Sequence, residues 1–184
     1  MSLKPKIRYV GWPTRLLCNS RRIDVIGGTD GGKADHFPLR HEPARAYLET
    51  DDIDNEEPML LDPCDSEDWK LLGCSLESGQ SVAATNDKDD AERVAKSIEF
   101  YHLHQEDLKK FRLTQIRTLD QRISDAKDRF EEMDGSPKRT KKFNAALAHI
   151  KRLITPGAHF SGEMYNHVKR CRHNGYPWLE KLVG

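Results

Sequence analysis

IRTLDQRISDAKDRFEEMDGSPKRTKKFNAALAHI, residues 116–150, carries the strongest periodic signal in the chain. Ile116, Leu119, Ile123, Ala126, Phe130 and Met133 recur at alternating intervals of three and four, which lines them up as one stripe of a helix with 3.6 residues per turn. Gly135 offers a stop, Ser136 a cap and Pro137 a first-turn residue whose missing N–H has no helical acceptor at that position anyway. A second helix is therefore predicted from about Pro137 to Ile154, with Phe143, Ala146, Leu147, Ile150 and Ile154 as its apolar face. The first stripe spans fewer than three heptads and reads as core against a neighbouring helix, with a dimeric coiled coil as the alternative.

Toward the C-terminus, Thr155-Pro156-Gly157 closes the second helix, and Ser161 is expected to cap a further one that carries Met164, Val168 and Cys171 before the closing YPWLEKLV. On the other side, NDKDDAERVAKSIEFYHL, residues 86–103, places acidic side chains where a helix dipole favours them and puts Ala91, Val94, Ala95, Ile98 and Tyr101 on one face. Residues 1–85 differ. Prolines 38, 43, 58 and 63 interrupt any long helix, IRYV suggests one early strand, and further short strands are expected near Met59–Leu61 and Trp69–Leu72. The predicted architecture is mainly α, of the α+β kind: an irregular, weakly β region, 1–85, packed on a helical bundle, 86–184, as one globular domain.

With 36% hydrophobic and 33% charged residues and a mean hydropathy of −0.78, the chain is strongly polar, and its periodic apolar segments argue against wholesale disorder. No apolar run suits a bilayer span or a secretory signal, so the expectation is a cytoplasmic protein without a membrane partner. Cys18, Cys64, Cys74 and Cys171 form no C-x-x-C pair and are expected to be reduced thiols. Cys64 sits among carboxylates, which disfavour a thiolate and a nucleophilic role. GGTDGGK, residues 27–33, lacks phosphate-loop spacing and reads as a flexible loop.

The net charge of zero conceals strong segregation. Residues 1–30 carry six basic against two acidic side chains, 31–90 five against sixteen, 91–136 nine against ten and 137–184 ten against two. Lys138, Arg139, Lys141, Lys142 and Lys151, joined by Arg152, Lys169, Arg170 and Arg172, are the candidates for contact with a polyanion such as DNA. A solvated helix surface accounts for the same residues equally well. His102 and His104 close a helix where a protonated imidazole is favoured, and a zinc site joining them to Cys64 or Cys74 has no spacing to support it.

Four segments, taken in order, resemble a bacterial family of HNH-type nucleases, some of which accompany ATPases in anti-phage defence. They are Trp12 with RLLCNSRR, GGKADHFPLRHEPARAY, EEPMLLDPCDSEDW and AKSIEFYHLHQEDLKKFR, and together they span roughly residues 9–130. The family's C-x-x-C-N turn is represented only by Cys18-Asn19, because Arg15 stands at the first cysteine position. In the family the F-P-L triplet lies downstream of the nuclease core, so the resemblance implies that Phe37-Pro38-Leu39 marks the exit from the site. The catalytic histidine would then precede Trp12, and the Asp35-His36 pair would be a coincidence.

An HNH site holds one divalent cation, Mg²⁺ or Mn²⁺, between ligands on a hairpin strand and a following helix, while a histidine activates water. The resemblance therefore implies an HNH-nuclease-like protein associated with nucleic acid, degenerate or truncated in its phosphodiesterase site. If the site is intact, Asp35 and His36 begin it, Asn55 is its middle asparagine, and His36 and His41 are metal ligands, with Asp51, Asp52, Asp54 or Asn55 as a third donor. Loop histidines that bond locally are the simpler account. The competing function is a non-catalytic interaction subunit of a bacterial defence complex, partnered by a protein such as an ATPase.

Overall fold

The computed structural model describes residues 38–44, 55–62 and 65–183. Among the described residues, a two-stranded antiparallel ribbon, β1 (Leu72–Cys74) and β2 (Ser81–Ala83), precedes five helices: α1 (Lys88–Phe100), α2 (Glu106–Glu131), α3 (Pro137–Leu153), α4 (Ser161–His173) and α5 (Glu180–Val183). The described chain is thus mainly α, as the periodicity predicts. None of its helices is long and apolar enough to cross a membrane.

The seam in residues 116–150 closes within the chain. Ile116, Leu119, Ile123 and Ala126 of α2 are buried with Phe143, Leu147 and Ile150 of α3, so the stripe is core. Its last two members behave differently. Phe130 and Met133 remain 38% and 37% exposed, because α2 ends at Glu131 and the chain turns away toward α3. Phe130 still covers the rim of the core, its ring 5.4 Å from Phe143 and stacked at 6.0 Å on Trp178. Ser136 caps α3 by accepting from the Arg139 N–H at 3.5 Å, with Pro137 in the first turn.

Helix α1 starts at an Asp87 carboxylate that accepts from the N–H groups of Asp89 and Asp90, at 2.9 and 3.0 Å. Helix α4 starts otherwise than expected. Ser161 is its first helical residue rather than its cap, and the capping position is Phe160 in the left-handed region, φ 54°. Ring packing compensates for that backbone cost: Phe160 is buried, 5.4 Å from Phe111, with the Arg112 guanidinium 5.0 Å above it.

Strand positions in the irregular region are also shifted from expectation. Asp68–Leu71 is a 3-10 turn that leads into β1, and Met59–Leu61 is buried chain beside a single bridge between Leu39 and Pro58. Side chains satisfy the backbone here in place of a neighbouring strand. Asp65 accepts from the N–H groups of Glu67 and Asp68, Asp68 accepts from the Asp62 N–H at 2.7 Å, and Ser97 accepts from the Leu61 N–H at 2.8 Å. The predicted strand at 7–10 and the glycine-rich segment lie outside the described residues.

Helix α4 joins the two regions. Gly162 lets it press on the Asp68–Leu71 turn so closely that a Cβ there would lie 2.0 Å from the Trp69 carbonyl oxygen. One turn later the Asn166 amide donates to the carbonyls of Lys70 and Leu72, at 2.6 and 2.8 Å. Gly79, φ +71° in the β1–β2 turn, packs with similar closeness on the Lys109 carbonyl of α2.

Candidate functional site

The residues that would begin an intact HNH site are divided by the structure. Asp35 and His36, with Asp51, Asp52 and Asp54, lie outside the described residues. His41 and Asn55 are exposed, and neither belongs to a metal-ligand cluster among the described residues. Nearby, the Arg40 N–H donates to Glu57 and the Met59 N–H to Pro38, each at 2.9 Å, which sets residues 38–40 beside residues 57–59. Arg40 then pairs with Asp89 at 3.0 Å and fixes this corner to α1. His102 and His104 flank the buried Leu103 and join no described metal cluster with Cys74, which is buried in β1; Cys64 lies outside the described residues.

Between α2 and α3 runs a groove of about 180 Å³ lined by Arg122, Asp125 and Arg129 from one helix and Lys142, Ala145, Ala146 and His149 from the other. Its origin is the helical repeat. Arg122, Asp125 and Arg129 fall three and four residues apart along the flank of the buried seam, and the two alanines opposite leave room between the helices. Three fixed cations and an imidazole therefore surround one carboxylate, and Asp125 already accepts from the Gln121 amide at 2.9 Å. Such a groove suits a phosphate group.

The basic residues anticipated from sequence divide into two sets. At about 100° per residue, Lys138, Lys141 and Lys142 share a flank of α3 with His149 and Arg152, whereas Lys151 falls on the opposite flank. Arg139 donates to the Glu132 carbonyl at 2.7 Å and pairs with Asp134, closing the end of α2. Arg170 and Arg172 donate to the carbonyls of Cys74 and Val183, at 3.3 and 3.5 Å, so both have structural roles. Composition does not distinguish Arg122, Arg129 and His149; their signal is position beside the seam, visible only once α2 and α3 are paired.

A second cluster lies on the far side of α2. His167 and Cys171 stand one turn apart on α4, and His167 Nε2 lies 2.6 Å from the Asp120 carboxylate of α2 and 3.8 Å from the Cys171 sulfur. Burial, reinforced by Asp120, pushes the Cys171 thiol above its ordinary range. A protonated thiol is a poor nucleophile, and one imidazole nitrogen faces both neighbours, so the relay of a cysteine hydrolase is not formed.

Deeper in the same interface, Arg112 of α2 donates to Glu163 of α4 at 3.1 Å and to the Gly79 carbonyl at 3.3 Å. Burial pushes the Glu163 carboxyl above the ordinary glutamate range, against the pull of Arg112. Arg112 is fully buried and Glu163 nearly so.

No family model, curated protein or solved structure matches this chain. The likeness to HNH nucleases accordingly rests on the four quoted segments alone.

Proposed function

We propose that this chain is an HNH-nuclease-like protein that associates with nucleic acid, with a degenerate phosphodiesterase site. The observation that carries the nucleic-acid part is the groove between α2 and α3, where Arg122, Arg129, Lys142 and His149 converge and Lys138 and Lys141 extend the same basic flank. Backbone phosphates are the matching ligands, since such a surface reads charge and spacing rather than bases. The degenerate site is supported by Arg15 in place of the first cysteine of the C-x-x-C-N turn.

Fluorescence anisotropy with a labelled duplex at two salt concentrations tests association, and plasmid nicking with Mg²⁺ or Mn²⁺ tests the site. Salt-sensitive binding without nicking is the expected result. Metal-dependent nicking lost in His36→Ala would establish an intact nuclease. No binding at low salt would favour the non-catalytic interaction subunit, whose contact surface would then include the exposed Phe130 and Met133.

A further inference from the structure

Asp120, His167 and Cys171 come from two helices and present one oxygen, one nitrogen and one sulfur within 4.8 Å of one another. The helix supplies two of the three by spacing alone, because residues four apart on α4 project on the same side. Packing of α4 on α2 supplies the third. We propose that these three side chains bind a divalent cation of the zinc class, with water as the fourth ligand.

The donor chemistry selects the ion. A thiolate with an imidazole suits Zn²⁺, whereas Mg²⁺ and Mn²⁺ favour all-oxygen surroundings, so this site differs in kind from the cation centre of an HNH nuclease. The distances fit with one adjustment. Zinc bonds of about 2.3 Å to sulfur and about 2.0 Å to nitrogen and oxygen set tetrahedral ligand atoms roughly 3.3–3.7 Å apart. The Cys171–His167 separation of 3.8 Å is already close to that, and the 2.6 Å Asp120–His167 contact must open. Asp120 can move, since its side chain is 53% exposed. His167, by contrast, is 5% exposed and fixed in the wall. Burial falls from His167 through Cys171 to Asp120, so the open coordination position faces solvent.

The other ring nitrogen of His167 bears on affinity. The buried Nδ1 of His167 has no hydrogen-bond partner, and the polar contacts of the ring run through Nε2, the atom that faces Asp120 and Cys171. Ligating imidazoles ordinarily donate their other N–H to a partner, and loss of that partner weakens binding about 10–100-fold, so this site binds more weakly than one with a complete outer shell. On binding, the thiol gives up its proton to solvent and the thiolate takes the metal, while Nε2 binds through its lone pair with the single imidazole proton on Nδ1.

Titration of the full chain with Co²⁺, followed by displacement with Zn²⁺, tests the assignment independently of any DNA binding. The expected result is a near-ultraviolet thiolate-to-cobalt band at one equivalent that is lost in Cys171→Ser and retained in Cys18→Ser and Cys64→Ser. Asp120→Asn changes an exposed side chain and should keep the native far-ultraviolet dichroism while weakening Co²⁺ binding about tenfold. Absence of the band, its survival in Cys171→Ser, or an unchanged Co²⁺ affinity in Asp120→Asn would overturn the proposal.

Discussion

Arg112 and Glu163, 51 residues apart in sequence, form an ion pair at 3.1 Å with side chains 0% and 5% exposed, at the centre of the contact between α2 and α4. Both charges are removed from water, and each depends on the other. Ser81 adds a long 3.4 Å hydrogen bond to the carboxylate, while Arg112 Nη2 has no acceptor. Removing one partner strands a buried charge or donor set and typically costs about 3–5 kcal/mol; replacing both by apolar groups removes that penalty. Arg112→Met should therefore destabilise the fold by about that amount in urea titrations, and Arg112→Met combined with Glu163→Leu should recover most of it.

Gly162→Ala places a methyl group 2.0 Å from a backbone oxygen that cannot rotate away, the Trp69 carbonyl. Helix propensity alone favours alanine by roughly 1 kcal/mol. The clash must prevail, since relief requires α4 to withdraw from the turn and lengthen the Asn166 hydrogen bonds. A net loss of about 2–3 kcal/mol is expected from chemical denaturation. Gly157→Ala, in open space but at φ +91°, reports backbone strain without a clash.

Cys74 links stability to alkaline pH. Burial pushes its thiol up to about 11 from the ordinary 9.0, with Glu163 adding to the rise. The unfolded chain releases this proton near the ordinary value, whereas the folded chain keeps it, so the contribution is complete below the unfolded value and is lost as pH climbs to the folded one. A rise of this size corresponds to about 2–3 kcal/mol. Urea midpoints should fall across that window, and Cys74→Ala should show a shallower fall.

Lys142 and Arg129 face each other across the groove. Reversing either charge, in Lys142→Glu or Arg129→Glu, should weaken duplex binding regardless of sequence and reduce the salt slope by about one for each phosphate that the variant no longer neutralises. Both side chains are exposed, so thermal melting should scarcely change. Lys151→Glu, on the other flank of α3, should have a smaller effect.

The helices are legible in the sequence because their signals are local. The 3-4 stripe of Ile116 to Ala126, the Ser136-Pro137 start and the acidic opening of α1 each concern residues within a few turns of one another. The start of α4 is not, because Phe160 occupies a left-handed cap that ring packing with Phe111 sustains, a tertiary effect with no local mark. Strand positions shift because Asp65, Asp68 and Ser97 supply backbone hydrogen bonds from outside any ladder. As for the site, Lys138, Lys141 and Lys142 stand out as a basic run, whereas Arg122, Arg129 and Asp120 acquire meaning only when α2 meets its partners. Within the metal cluster, the sequence carries no more than the i, i+4 spacing of His167 and Cys171.

Asn166 fastens a carbonyl that the ribosome delivered 96 residues earlier. The Lys70–Leu72 segment therefore cannot lock as it emerges; it must wait, tethered and incomplete, until the message for α4 has been read. A nascent chain halted before residue 161 would display the unclosed underside of β1 to chaperones and proteases until α4 arrives to cover it.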